Sequence, residues 1–447
     1  MSIAELPSLT IPASHKLDGF PVVVIGAGPV GLAAAAQLLE RGVETLVLEA
    51  GESAGASVLT WGHIRLFSPW QYLVDEAAGR LLDKSGWQAP AAKELPYGRE
   101  LVEEYLQPLA ATPELASRIR YGSTVTDVSR SGMDRTRSTG RSSTPFLLRV
   151  RRGGAVVEQL ARAVIDTSGT YGTPNGLTAS GLTPTDLDSV RQNISHALPD
   201  VLGADRARFA GKNTLVVGAG HSAANTLLKL AALARQDHGT TVSWAIRGTS
   251  PVRVFGSAND ELEARGHLGS SARDLVRQGR VSLIDSFEIH DLHPAAGGRV
   301  LVEGLRRGEP VSIETDQVVN ATGFRPNLDM LREIRLSLDE IVEAPRALAP
   351  LIDPNLHSCG TVDPHGVAEL AHPEPNFFIA GMKSYGRAPT FLLLTGYEQV
   401  RSIADELAGN PGAARRVHLV LPETGVCSTA SVGESGSACC NETSTSG

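Results

Sequence analysis

Cysteine is scarce: Cys359, Cys427, Cys439 and Cys440 are the only four in 447 residues. That is no disulfide framework. No run of 18 apolar residues occurs, so no membrane span is predicted. The start, residues 1–16, lacks a basic stretch followed by an apolar core, so no secretory signal is predicted. Basic residues are nowhere clustered and the net charge is −8, which argues against nucleic acid as the main partner. The cytoplasm is the location these absences predict by default. What is plentiful is glycine, 46 residues, in a chain that is 42% hydrophobic and 20% charged. That is a globular composition with close helix–sheet contacts, and the length calls for two or three domains.

One stretch organises the rest. Val22–Ile25 reads as a buried strand, Gly26-Ala27-Gly28-Pro29-Val30-Gly31 breaks it, and an Ala/Leu run to Glu40 reads as a helix. A second strand, Thr45–Leu48, then ends in Glu49. This is a βαβ unit with the dinucleotide fingerprint. Gly26 permits the tight turn, Gly28 lets the backbone approach a pyrophosphate, and Gly31 lets helix and strand pack closely. The helix N-terminus offers N–H groups and a partial positive charge to the phosphates. Glu49 is placed to accept the ribose hydroxyls of an adenosine.

The pattern recurs. Thr214–Val217 is a strand, Gly218-Ala219-Gly220-His221-Ser222-Ala223 a glycine turn, Ala224–Leu233 a helix and Thr241–Ile246 a strand. Ala223 takes the third-glycine position. This copy ends in Arg247, which suits a ribose 2′-phosphate and so NADPH over NADH; a solvated strand end is the alternative. Pro145–Val150, Ala155–Leu160 and Ser123–Val128 read as a small antiparallel sheet, with Arg130–Thr144 as a mobile hairpin tip. Pro108 is expected to end a helix that begins at Glu100. Late in the chain, Gln317–Asn320 runs into Ala321-Thr322-Gly323-Phe324-Arg325-Pro326. Asn376–Ala380 meets Gly381, and Pro389 or Thr390 opens a helix, Phe391–Leu407.

Gly26-x-Gly28-x-x-Gly31, Phe209-x-Gly211-Lys212 leading into Gly218-x-Gly220-x-Ser222-Ala223, and Ala321-Thr322-Gly323-Phe324-x-Pro326 together resemble the two-dinucleotide-binding-domain flavoproteins. Within them the chain is similar to the flavin-containing monooxygenase (class B) branch over about residues 20–410. The resemblance implies an α/β fold with two Rossmann-like domains, FAD on the first and NADPH on the second, the second inserted in the first. The expected organisation is an arm at 1–19, FAD-binding parts at 20–185 and 316–424, an NADPH-binding domain at 186–315 and a disordered tail at 425–447. FAD contacts are expected from Gly26, Gly28, Pro29, Gly31, Glu49, Ala50, Ser57, Trp61, Val125, Ser168, Gly169, Gly323, Gly381 and Thr390. NADPH contacts are expected from Gly218, Gly220, His221, Ser222, Ala223 and Arg247. The family's Gly-Gly-x-Trp after the second strand is replaced by Gly55-Ala56-Ser57-Val58. Of its Phe-x-Gly-x-x-x-His signature only His196 is present.

The aromatic and basic segment Trp61–Tyr72 supplies candidates for stacking on flavin or lining the substrate pocket. His63, Arg65 and Trp70, with Tyr385 before the last helix, are the candidate catalytic residues; a packed loop is the other reading. Lys383 and Arg387 are placed near the pyrimidine end of the flavin. The implied reaction is NADPH reduction of FAD, then O2 capture and oxygenation of a soft nucleophile (N, S or a metalloid) through a C4a-(hydro)peroxyflavin. The expected partners are a small-molecule substrate and O2, with a homodimer left open. No cysteine pair lies in the NADPH domain or in residues 50–70, so a flavin-proximal dithiol is excluded. Cys427, Cys439 and Cys440 in the tail are otherwise incidental thiols or soft-metal ligands. They keep open an NADPH-dependent reductase of a thiol-bound metal, metalloid or disulfide. A non-catalytic flavin redox sensor is the third reading.

Overall fold

The computed structural model describes residues 17–251, 263–353, 364–388 and 391–419. Two five-stranded parallel sheets dominate it. In chain order the strands of the first half are β1 (Val22–Ile25), β2 (Thr45–Leu48), β3 (Ile119–Arg120), β4 (Ser123–Arg130), β5 (Phe146–Arg152), β6 (Ala155–Ala161) and β7 (Ala163–Asp166). Those of the second are β8 (Ile194–Ser195), β9 (Asn213–Val217), β10 (Thr241–Ala245), β11 (Ser282–Ile284), β12 (Phe287–Ala295), β13 (Arg299–Arg306), β14 (Glu309–Thr315) and β15 (Gln317–Asn320); β16 (Phe377–Ile379) follows. The first sheet has the order β16-β7-β1-β2-β3 and the second β11-β10-β9-β15-β8. Because β16 returns to pair with β7, the first unit is discontinuous and the second lies between its parts.

The two units are built alike. In the first, α1 (Pro29–Glu40) covers one face, and its four consecutive alanines, Ala33–Ala36, are fully buried. α2 (Glu76–Lys84) packs beside it, and so does the last long helix. The other face is covered by the antiparallel sheet β4–β6, whose Val128, Phe146 and Leu148 pack on Val23, Ile25 and Leu48. In the second unit α3 (His221–Gln236) and α4 (Glu263–Arg277) share one face. The antiparallel sheet β12–β14 takes the other, with Phe287, Leu292 and Val302 against Leu215 and Val217. Burying both faces explains the unbroken apolar runs of the parallel strands.

Four expectations change. β15 pairs in parallel with β9, so the boundary drawn at 316 moves past Asn320. The stretch 130–144 is anchored rather than a mobile tip. The buried Glu374 takes Arg130 Nε at 2.8 Å and Arg141 Nη2 at 2.7 Å, a link between distant chain segments that composition does not reveal. Pro108 does not end its helix. A helical path runs from Gly98 to Ala110 with a π-type turn over Leu101–Leu106. The Glu104 carbonyl, which proline cannot serve, instead accepts from Trp87 Nε1 at 2.7 Å. The last long helix, α5 (Leu393–Leu407), starts two residues later than expected, and Pro389 and Thr390 lie outside the described residues.

Candidate dinucleotide sites and the seam between them

The first fingerprint stands at the C-terminal edge of the first sheet, where open α/β sheets bind ligands. Gly26 follows β1 with φ +102°, and a Cβ there would sit 3.1 Å from the Thr167 carbonyl oxygen. A Cβ on Gly31 would run into the Gly26 carbonyl and lie 2.7 Å from Thr167 Oγ1. Gly28 is the opposite case. It caps α1 with extended backbone, and nothing lies within 4 Å of its Cβ position. No side chain caps α1, and no acid occupies its first turn. A closely packed floor beneath uncapped N–H groups and open space is what a pyrophosphate requires. Glu49 flanks this mouth: its Oε2 accepts from Ala27 N at 2.6 Å and its Oε1 from Gly51 N at 2.7 Å. Each oxygen keeps a second lone pair for a ribose hydroxyl.

A buried ion pair closes the far side. Lys383 Nζ donates to Asp166 Oδ2 at 2.6 Å and to Ser168 Oγ at 3.0 Å, and both charged side chains are 0% exposed. Ser168 donates to Asp166 Oδ1 through its hydroxyl at 2.7 Å and its N–H at 3.1 Å. Gly381, with φ +70°, lies over Val30 at the start of α1 and donates its N–H to Gln399 Oε1 at 2.8 Å. Gln399 in turn bonds Ser384 and His365. Sequence reasoning missed Asp166, Gln399 and His365. The available signal was an acid ending an otherwise apolar strand.

The second fingerprint repeats the geometry. Gly218 has φ +131°, and a Cβ there would run into the Ala321 carbonyl, so the Ala321–Gly323 turn packs against it. Gly220 caps α3, again with no side-chain cap and nothing within 4 Å of its Cβ position. His221 and Ser222 open α3, Ala223 is fully buried, and Arg247 follows β10, exposed. Gly323 therefore sits with the second unit. It is tied to the loop after β7 through Asn175, whose N–H donates to the Gly323 carbonyl at 2.9 Å. No local sequence pattern marks Asn175, whose Oδ1 is buried with no partner among the described residues.

Side chains from both units meet at the seam. Phe67 reaches the second core and lies 5.4 Å, centroid to centroid, from the His221 ring. Trp61 faces Tyr171 at 6.5 Å, and Tyr171 contacts both His196 at 4.3 Å and Phe324 at 5.1 Å. His196 Nε2 is 2.9 Å from the Tyr171 carbonyl oxygen. Burial holds the His196 imidazole below its ordinary range and the Tyr171 hydroxyl up at about 12, so both are neutral near pH 7. His63 has a buried Nε2 with no partner among the described residues.

The other candidates are placed differently. Trp70 is 4% exposed within the first core, and Arg65 stacks over the Tyr97 ring at 4.8 Å with its side chain in solvent. Tyr385 is 2% exposed and edge-on to Phe391 at 5.1 Å; burial raises its pKa well above the ordinary tyrosine range. Trp70 and Tyr385 are packed in the first core while Arg65 lies exposed on its rim, because an aromatic or basic residue in a short apolar segment is as readily a core or rim residue as a reactive one. Val125 is buried on β4, Pro29 is the first residue of α1, and Ala50 and Ser57 are exposed beside Glu49 and in the short helix Ala56–Leu59. Thr390, Cys427, Cys439 and Cys440 lie outside the described residues. Among the described residues no group of three or more His, Cys, Asp or Glu could hold a metal, and no helix is long and apolar enough to cross a membrane.

Two parallel sheets, each with a glycine mouth at its C-terminal edge, define a two-dinucleotide-domain α/β protein of the flavoprotein type. Residues 23–345 match the family model described as pyridine nucleotide-disulphide oxidoreductase, so the chain belongs to that family and is a flavoprotein oxidoreductase. FAD on the first unit and a nicotinamide dinucleotide on the second accord with it. The chain is 28% identical over 319 residues to indole-3-pyruvate monooxygenase YUCCA1 of Oryza sativa subsp. japonica. The match covers 69% of this chain and 65% of that relative. The bacillithiol disulfide reductase Bdr (YpdA) of Bacillus cereus superposes with a TM-score of 0.64 at 19% identity, covering 87% of this chain and 99% of the other. DfoA of Erwinia amylovora, a cadaverine monooxygenase of desferrioxamine biosynthesis solved bound to FAD, superposes with a TM-score of 0.60 at 16% identity. That alignment covers 90% of this chain and 98% of the other.

Proposed function

We propose that the chain is an FAD-dependent, NADPH-using monooxygenase acting on a small soft nucleophile. The observation that carries this reading is the pair of open, uncapped glycine mouths with a seam of aromatic rings where the two units meet. The reading is also supported by the resemblance to YUCCA1, a monooxygenase. When bound, reduced FAD supplies the activation of O2 and the transfer of one oxygen atom. The chain's own part is positional. Gly26, Gly28 and Gly31 with the N-terminus of α1 hold the FAD pyrophosphate, and Glu49 takes the ribose. Ser168, Gly169 and Gly381 line the mouth, kept in place by Asp166 and Lys383. Gly218, Gly220, His221 and Ser222 hold the NADPH pyrophosphate, Ala223 seats the helix, and Arg247 meets the 2′-phosphate. Trp61, Phe67, Tyr171 and Phe324 exclude water from the seam. His63, whose buried Nε2 has no partner among the described residues, is the candidate hydrogen-bonding group of this segment.

The test is NADPH and O2 consumption by the FAD-loaded protein with thiols, amines and arsenicals. Oxygenation predicts substrate-stimulated, equimolar use of NADPH and O2 with an oxygenated product. NADPH oxidation that ignores O2 and depends on an added disulfide or metal would replace this reading with the reductase. Failure of NADPH to reduce bound FAD under any condition would leave only the sensor.

A further inference from the structure

The two glycine turns occupy matching places in their sheets. Val24 faces Val47 between β1 and β2, as Val216 faces Trp244 between β9 and β10. Ile25 faces Asp166 on β7, as Val217 faces Asn320 on β15. Gly26 therefore answers to Gly218, Thr167 to Ala321 and, five residues after each first glycine, Gly31 to Ala223. The N–H of the first glycine is bonded alike in both units, to the Leu48 carbonyl at 2.8 Å and to the Ala245 carbonyl at 3.1 Å.

The carbonyl of that glycine is held differently. In the first unit a Cβ on Gly31 would run into it, and Thr167 Oγ1 stands 2.7 Å from the same Cβ position. That hydroxyl donates to the Ile25 carbonyl at 2.8 Å and lies 3.4 Å from the Gly26 carbonyl oxygen. In the second unit Ala223 brings the very methyl that this arrangement forbids, and it is fully buried. Two changes make room for it. Ala321 has no hydroxyl to fill the space, and the Gly218 carbonyl accepts from Trp244 Nε1 at 2.7 Å. The turn has φ +131° at Gly218 against +102° at Gly26. Trp244 is 0% exposed, so this bond is sheltered from water, and Val47 at the matching place has no donor to offer.

We propose that Trp244 is a positioning residue for the nicotinamide dinucleotide: its indole N–H holds the Gly218 carbonyl clear of the Ala223 methyl and so sets the phosphate-binding turn of the second mouth. The proposal rests on the reading that this mouth takes NADPH. Ala219 alone separates Gly218 from Gly220, the residue that caps α3, so any rotation of the Gly218 peptide is passed to the backbone where a pyrophosphate docks. Without the indole donor the carbonyl is free to turn back toward the methyl. The N–H groups at the mouth then lose the fixed placement that a phosphate would otherwise find ready.

The test is calorimetric titration of the full-length, FAD-loaded chain with NADP+, using Trp244→Phe to keep an aromatic ring and delete the donor. Its Kd for NADP+ should rise about tenfold, the worth of one buried hydrogen bond, while its Kd for FAD stays that of the wild type. Adding Ala223→Gly removes the methyl that the carbonyl must avoid and should restore most of the NADP+ affinity, a rescue that a core-filling role for the ring would not give. Should Trp244→Phe not fold, a double variant that folds and binds NADP+ upholds the proposal, and one that also fails to fold overturns it. Gly220→Ala, which puts a methyl into open space at the mouth, is the control for the site itself. With Gly220→Ala weakened, a Trp244→Phe protein of wild-type NADP+ affinity, or a double variant no better than the single one, overturns this proposal alone. A Gly220→Ala protein that binds NADP+ normally overturns the placement of the nucleotide at this mouth, and the proposal with it.

Discussion

Two glycine-to-alanine changes three residues apart should fail in opposite ways. At Gly28 the backbone is extended (φ −77°, ψ −175°), which alanine adopts freely, and nothing lies within 4 Å of the new methyl. Lower unfolded-state entropy favours the variant by about 0.4–1 kcal/mol, while alanine is the poorer N-cap by a similar amount. The apo protein should therefore keep its Tm within about 4 °C. The methyl stands where the pyrophosphate must approach, and displacing it breaks at least one charge-assisted N–H···O bond worth about 1.5–3 kcal/mol. FAD affinity should fall at least about tenfold. At Gly31 the methyl would run into the Gly26 carbonyl oxygen with Thr167 Oγ1 2.7 Å away, so α1 must lift off β1. Overpacking of this kind costs about 1–3 kcal/mol or more, so Gly31→Ala should lower the Tm of the apo protein itself by about 4 °C or more. The assays are thermal melts of apo protein and fluorescence-quench titration with FAD. A Gly28→Ala protein that binds FAD as tightly as wild type would refute the placement of the cofactor at this mouth.

Three further outcomes are expected. Arg247→Ala should raise KM for NADPH far more than for NADH, and equal effects would remove the argument for NADPH. Burial pushes the Asp75 carboxyl up from 3.8 to about 6, so the native state binds a proton that the unfolded chain releases between those values. Stability therefore falls as pH rises from about 4 to about 6 and stays lowered above. About two pKa units at about 1.4 kcal/mol each make about 3 kcal/mol. Wild type should gain about that much over Asp75→Asn as urea midpoints are followed from about pH 7 down to about pH 4, and a constant difference would refute it. Lys383→Met leaves the fully buried Asp166 without its partner and should cost about 3–5 kcal/mol in urea unfolding. An Asp166→Asn/Lys383→Met double variant should recover most of that, and no recovery would show the pair to be mere packing.

Local sequence carried the two βαβ units because a buried parallel strand, a glycine turn and an alanine-rich helix each have a signature within about 30 residues. The same locality explains where reading failed. Pro108 looked like a stop because the donor that rescues the Glu104 carbonyl, Trp87, comes from a different segment. Residues 130–144 looked mobile because Glu374, which anchors Arg130 and Arg141, lies 244 and 233 residues away. Of the segment Trp61–Tyr72, composition could say only that aromatic and basic residues were present. The fold sorted them, with Trp70 in the core, Arg65 on the rim, Phe67 against His221, and His63 with a buried nitrogen that has no partner among the described residues.

By itself the sequence determined that there are two dinucleotide mouths and that one precedes an acid and the other an arginine. Those features depend on φ, on the absence of a Cβ and on strand ends, all properties of a few neighbouring residues. Only the tertiary structure decided that Ala321–Gly323 closes the second mouth and that Lys383 pairs with Asp166. Each joins segments brought together by the return of β15 and β16, and no local pattern encodes such meetings.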